Sequence, residues 1–563
     1  TYLYGYIYHA VDDVTINYSI LNKEYMLLPY MGIVLTRILV IFQSLFSNVN
    51  VYFVFLVLAY SISFSCLLYL MRDRKYKIVL WIIVLVIEFA LLKYFTYSVV
   101  AYLLSISGIF LLYKEKNIVF PIILIFIGIS LRVQIIASLL VICLVIIIFE
   151  LIRNKKVKQT GILISTIFIV SLTNWLFIQS NDVEKSYIEW NEKSTLIRDY
   201  PAIDYSEKKE SLDKIGITEN TLVSHNSWIL SEKQIFSNEL LDNLDRVRSV
   251  SEKYNFSIKK IILEYFFNEF YKLFTFFVIL VFIFYKSKSY YGYLLFLSPL
   301  ALLTALIVRQ RVVERVYIPI IILALFIFIV YGNELFIKRN YKLLNNLENV
   351  IFTILCILLM GSIWKYGKNE LYWFNYHSYD FNKAYNNVLV DNKDNLYIIS
   401  GYGNLVSSQP NVSKFFVETD KLTKNIITFG TWQTFSPEYH NKLKEFGVKD
   451  TNNILSSAVN SDNIKFILPK DSSSFDKIRV LFKENYDKDV YFVKESDILN
   501  DMNIYAEYVD YDSITAENVA NLIKDKGIKV VISDRWLKKN VIKALKDAGG
   551  EFVIINTLDI PMD

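Results

Sequence analysis

Long apolar runs separated by short polar breaks fill the chain as far as residue 364. They cover 51–71, 77–93, 95–113, 118–133, 134–152, 161–179, 268–286, 290–308, 316–333 and 347–364. A helix needs about 20 mostly apolar residues to cross a bilayer, so each run predicts a span. With 1–9 read as the outer end of a first span, the total is about 11. The stretch 29–46 differs. It is apolar but short, carries Arg37 at its centre and ends at Ser47-Asn48-Val49-Asn50. That predicts a helix lying along the membrane surface. Residues 180–267 are rich in Glu, Lys, Asn and Ser, and too long for a plain connection. Within them 231–250 predicts a helix with Leu240, Leu241, Leu244 and Val247 on one face, and 257–270 an aromatic, amphipathic segment at the interface. After residue 365 the pattern turns to strands at 395–400, 464–468, 490–493, 530–533 and 552–556, with helices at 473–484, 516–526 and 538–548.

The predicted fold is therefore a polytopic α-helical membrane domain over 1–364, including the loop 180–267 and interfacial helices in the first outer loop. An extracytoplasmic α/β domain over 365–510 follows, and then an α-β-α-β unit over 511–563 of the same or an appended domain.

Composition supports the membrane assignment. The chain is 54% hydrophobic and 16% aromatic, with a mean hydropathy of +0.34, which is too apolar for a soluble protein of this size. The net charge of +5 is small, and the basic residues sit in short clusters between apolar runs, so nucleic acid is not an expected partner. Cys66, Cys143 and Cys356 all lie inside apolar segments, which predicts neither a disulfide framework nor a cysteine metal site. His9, His225, His377 and His440 match no zinc spacing. Clusters at Arg72 to Lys77, Lys114 and Lys116, Arg153 to Lys158, Lys286 and Lys288, and Lys338 to Lys342 are expected in the cytoplasm. That orientation puts 180–267 and the tail outside, and an interfacial 29–46 puts Asp12 and Asp13 outside with them.

Two adjacent carboxylates beside a span, Asp12 and Asp13, are costly to desolvate and are expected to face water or a polar cavity. They suit a base for a hydroxyl or a ligand for a metal on a phosphate; the plainer reading of the pair alone is a solvated loop that caps the next helix. Arg309, Arg311 and Arg315 share a short outer loop, where basic residues are uncommon. A guanidinium fork fits a lipid phosphate; a salt bridge to Glu314 with snorkelling to headgroups also accounts for them. Arg132 and Gln134 join two spans on the same side. Gly401-Tyr402-Gly403-Asn404 lacks the third glycine of a dinucleotide site. Trp373, Trp432 and Tyr439 suit either sugar stacking or a core.

Val11-Asp12-Asp13-Val14 followed by the interfacial stretch from Pro29 to Phe46 resembles the first outer loop of the GT-C superfamily of membrane glycosyltransferases. Ser130-Leu131-Arg132-Val133-Gln134, Asp199-Tyr200-Pro201 and Gly430-Thr431-Trp432 are similar to features of related, uncharacterised bacterial multi-spanning proteins. The resemblance implies a plasma-membrane transferase moving a sugar from a polyprenyl-phosphate donor to a surface glycopolymer or glycolipid. Asp12 or Asp13 would be the catalytic acid, and Arg132, Arg309, Arg311 and Arg315 would hold the lipid phosphate. A divalent metal ion is the one cofactor left open. The alternatives are a surface-polysaccharide polymerase or ligase, and a non-enzymatic transporter or scaffold. The last fifty or so residues distantly resemble half of a metal-uptake substrate-binding protein, without its acidic and histidine ligands.

Overall fold

The computed structural model describes residues 11–338, apart from breaks of one to four residues, and parts of 393–554. The expected span 347–364, the stretch 1–9, Trp373 and Gly401 to Asn404 lie outside the described residues.

The first half builds a helical bundle. Its helices are α1 (Val11–Leu21), α2 (Ile33–Leu45), α3 (Val51–Leu70), α4 (Lys77–Leu92), α5 (Tyr97–Lys114), α6 (Val119–Leu131), α7 (Ile135–Ile152) and α8 (Val157–Gln179). Four polar-region helices follow: α9 (Asp182–Arg198), α10 (Tyr205–Lys214), α11 (Glu219–Asn226) and α12 (Asn238–Val247). The chain then returns to the bundle through α13 (Ile258–Phe267), α14 (Glu269–Phe284), β1 (Tyr285–Ser287), α15 (Tyr290–Val308), α16 (Glu314–Leu335) and β2 (Phe336–Lys338).

Among the described residues, six helices are long and apolar enough to cross a membrane: α3, α5, α7, α8, α15 and α16. The expected span at 268–286 forms α14 and is preceded by a sharp bend from α13. Asn268 accepts the Phe270 and Tyr271 N–H groups at 3.1 and 3.3 Å, starting a new helix after an 85° turn from α13. Counting that pair as one span gives seven. The runs expected at 29–46 and 118–133 form helices of only 13 residues, α2 and α6. Along α2, Ile38, Ile41, Phe42, Leu45 and Phe46 stay exposed, as a helix lying in an interface would leave them.

The centre of the bundle is α5, buried on every side from Tyr97 to Tyr113. It packs tightly against α6 because glycines remove side chains at the crossing. A Cβ on Gly128 would sit 2.4 Å from Ser105 Oγ, and one on Gly108 would sit 2.8 Å from Ile125 Cγ1.

A head of strands and helices covers one end of the bundle. Its elements are β3 (Leu396–Ser400), β4 (Ile426–Phe429), α17 (Pro437–Glu445), α18 (Ile454–Ala458), β5 (Ile464–Leu468), α19 (Ser473–Tyr486) and β6 (Val493–Lys494). The strands form a parallel sheet in the order β4-β3-β5-β6. Its core is shared with the polar-region helices: Trp190, Leu212, Phe236, Leu241 and Leu244 pack with Leu396, Ile398, Phe435 and Phe466. The loop 180–267 thus contributes to the same hydrophobic core as the sheet. Trp432 and Tyr439 are buried, so they serve as core residues. A second parallel sheet joins β7 (Ala506–Tyr508), β8 (Val530–Ser533) and β9 (Glu551–Ile554), with α20 (Ala516–Lys526) and α21 (Lys539–Asp547) around a separate core.

The head touches the bundle at named points. Val49 bridges Phe416, the Asn50 N–H donates to the Phe415 carbonyl at 2.9 Å, and the Val417 N–H donates to the Asn48 carbonyl at 3.0 Å. The Tyr18 hydroxyl donates to the Ile426 carbonyl at 3.4 Å, and Lys442 pairs with Glu24 at 2.9 Å.

Candidate functional site

Asp12 and Asp13 occupy the first turn of α1, where carboxylates favour the helix dipole. Both are buried, as are Thr15, Asn17 and Ser19, where the sequence leads one to expect a pair open to water or a polar cavity. The physical reason is the bundle: α3, α5 and α16 close around the first turn of α1 and bring Tyr52, Tyr97 and Arg315 to the pair. The desolvation cost is met by specific partners.

Asp12 Oδ2 lies 2.7 Å from Arg315 Nη1. Arg315 is the second residue of α16, a position where a cation opposes the helix dipole, so the Asp12 carboxylate compensates an otherwise unfavourable placement. Asp13 Oδ1 accepts the Tyr52 hydroxyl at 2.8 Å and the Tyr97 N–H at 2.9 Å. Tyr97 opens α5, where Thr96 also caps by accepting the Val99 N–H at 3.2 Å. Asp13 therefore does cap a helix, but α5 rather than its own. Its other oxygen, Oδ2, is buried without a hydrogen-bond partner. Burial pushes the Asp13 carboxyl up to about 7; the Tyr52 and Tyr97 hydrogen bonds oppose the rise, the Asp12 charge adds to it, and Arg315 lowers it.

Arg132 caps the C-terminus of α6, the end where a cation suits the dipole. Its guanidinium stands 5.4 Å from the Tyr97 ring centre and donates to Ser98 Oγ. The segment before it is fixed by main-chain bonds: the Gly32 N–H donates to the Ser130 carbonyl at 2.6 Å and the Val133 N–H to the Tyr30 carbonyl at 3.0 Å. The Tyr97 ring faces Arg132 while its N–H holds Asp13, whose neighbour Asp12 pairs with Arg315, so these groups gather at one helix start.

Of the three loop arginines, Arg315 reaches the acidic pair. Arg309 is exposed at the end of α15, and Arg311 is half-buried on the turn that Gln310 makes with a positive φ of 54°. Sequence reasoning did not single out Tyr52, Tyr97 or Ser98. The Thr96 cap before an apolar run was the available signal for a helix start at Tyr97; nothing local marks Tyr52.

At the opposite end of the same helices, Lys114 closes α5 and pairs with Glu334 near the end of α16, with Glu150 3.8 Å away. Among the described residues, no group of three His, Cys, Asp or Glu could hold a metal ion. Asp12 and Asp13 turn to different partners, so they do not form a ligand pair as they stand. No protein-family model, curated protein or solved structure matches the chain.

Proposed function

We propose that this chain is a membrane glycosyltransferase of GT-C type, moving a sugar from a polyprenyl-phosphate donor to a surface glycopolymer or glycolipid on the outer side of the plasma membrane. The observation that supports it best is the meeting of Asp12, Asp13, Arg132 and Arg315 at one end of the bundle, from segments far apart in sequence. Carboxylates and guanidinium groups at one membrane-facing end are the two chemistries such a transfer requires: a proton acceptor for the acceptor hydroxyl and a fork for the phosphate.

The roles divide by environment. Asp12 holds the Arg315 guanidinium in place and so positions a phosphate contact. Asp13, with a carboxyl pushed to about 7 and an unpaired buried oxygen, is the proton acceptor. Arg132, braced on Tyr97 and Ser98, supplies a second positive charge to the phosphate. In this reading the head lies outside and Lys114 with Glu334 marks the cytoplasmic end.

The test is transfer of labelled sugar from polyprenyl-phosphate donors by the chain in nanodiscs. Asp13→Asn should lose roughly 100- to 10,000-fold, the usual contribution of a general base. Full activity in the Asp12→Asn, Asp13→Asn double variant overturns the assignment and favours a polymerase or ligase working from other residues.

A further inference from the structure

Two segments from opposite halves of the chain meet at the start of α3. Val49 and Phe416 pair as an antiparallel bridge, flanked by the Asn50 N–H on the Phe415 carbonyl and the Val417 N–H on the Asn48 carbonyl. Side chains along an extended segment alternate in direction, and 415–417 follow that rule. Phe415 turns inward, its ring 5.1 Å from that of Phe53 in the first turn of α3, and Val417 is buried. Phe416, between them, is 75% exposed. The Val49 N–H also donates to the Phe46 carbonyl at 3.0 Å, which brings the end of α2 alongside. There the Phe42 and Phe46 rings stack 6.4 Å apart, and Ile41, Phe42, Leu45 and Phe46 are all exposed. The end of α2 and a loop of the head thus present one apolar patch.

We infer that this patch is a foot by which the head rests in the bilayer, with Phe416 and Phe46 seated at the lipid interface beside α3. The depth of the patch favours lipid as its occupant. The 20 residues of α3 rise about 30 Å, the thickness of the hydrocarbon core. Arg72, Asp73 and Arg74 follow one end, and Asn50 caps the other by accepting the Phe53 N–H at 3.1 Å. Asn50 therefore marks the level where the span meets the membrane surface. Phe415 packs on the turn just inside that level, which holds Phe416 where aromatic side chains gather in membrane proteins. The foot adds to the ties of Tyr18 and Lys442 and is independent of the reaction performed at the acidic pair.

The chemistry of the patch sets the kind of contact. Residues 38–50 contain no charged side chain, and the polar ones exposed there are Ser44 and Asn48. The nearest cation along α2, Arg37, lies 5.7 Å from the centre of the Phe177 ring. Binding is then through apolar and aromatic surface, so it needs no anionic headgroup and is not screened by salt.

The experiment places a nitroxide on single cysteines at Phe46, Leu58, Phe416 and Lys449 of the full chain in phosphatidylcholine nanodiscs, with Cys66, Cys143 and Cys356 replaced by Ala. All four positions are exposed, so the labels displace no packed side chain. Collision with oxygen should exceed collision with a water-soluble nickel chelate at Phe46 and Phe416, by less than at the span position Leu58, and the ratio should invert at Lys449. Phosphatidylglycerol or added salt should leave the ratios unchanged. A Phe416 ratio equal to that at Lys449 would overturn the foot, as would poor access of both reagents, which marks a patch covered by protein. Immersion that depends on phosphatidylglycerol would overturn the uncharged contact. The wild-type chain gives the second measurement: phosphatidylcholine with a photoactivatable group high on its acyl chain should crosslink within 42–46 and 415–417, and crosslinks confined to the spans would overturn the proposal.

Discussion

Asp12 and Arg315 are 303 residues apart in sequence and 2.7 Å apart in space. Their side chains are 7% and 30% exposed, so the pair is neither a surface bridge nor fully sealed. Arg315→Ala should therefore lower stability by about 1.5–3 kcal/mol, the range for a hydrogen bond to a charged group. Asp12→Asn combined with Arg315→Gln should cost less than the sum of the single changes, because no uncompensated charge remains. Thermal unfolding of the four proteins in one detergent measures this coupling.

Asp13 should leave a signature in the pH dependence of stability. Its carboxyl moves from the ordinary 3.8 to about 7 in the fold. A raised acid contributes fully below the unfolded value and loses that contribution as the pH rises through the folded one. The stability difference between wild type and Asp13→Asn should thus shift against the wild type from pH 4 to pH 7. A flat difference curve would mean that Asp13 ionises freely in the folded protein.

The crossing of α5 and α6 leaves no room at Gly128. A Cβ there would lie 2.4 Å from Ser105 Oγ and 2.8 Å from the Ser105 nitrogen. Gly128→Ala should destabilise by about 1–3 kcal/mol through overpacking. Ser105→Gly should rescue it only in part, since the backbone nitrogen remains. Complete rescue, measured by thermal unfolding, would show that only the hydroxyl was in the way.

Orientation can be read with exposed positions. Single cysteines at Lys23, Ser206 and Lys449 are expected to react with an impermeant thiol reagent in whole cells, and one at Asp73 is expected to be protected. Asn17 is unsuitable because it is buried. Protection at Lys23 alone would place α1 on the other side and remove the support for the proposed transferase.

Elements whose signals are local were legible in the sequence. Strands expected at 464–468 and 530–533 and the helix at 516–526 have those bounds, because alternation, the Thr515 cap and the left-handed Gly527 mark them. The helix expected over 231–250 shortens to Asn238–Val247, beginning at the Ser237 cap, with Leu241 and Leu244 buried as expected. Helices α9, α10 and α11 and strands β4 and β7 were not foreseen, since their faces are defined only by packing on other parts of the head. The same holds for the site. The residue types at Asp12, Asp13, Arg132 and Arg315 were visible, but that Asp13 caps α5, 84 residues away, is a property of the bundle.

The ties at both ends of α5 and α16 have a mechanical consequence. Tyr97 and Arg315 are held through α1 at one end, and Lys114 and Glu334 meet at the other. A strut braced at both ends resists tilting and sliding together, because either motion breaks an ionic contact. Any opening that admits a long lipid must then come from elements without such bracing. The 85° elbow between α13 and α14 is held to α15 by the Tyr265 hydroxyl, 3.1 Å from the Leu300 carbonyl, a neutral contact rather than an ionic brace, and Ile258, Ile262, Phe266 and Phe267 are turned outward from it.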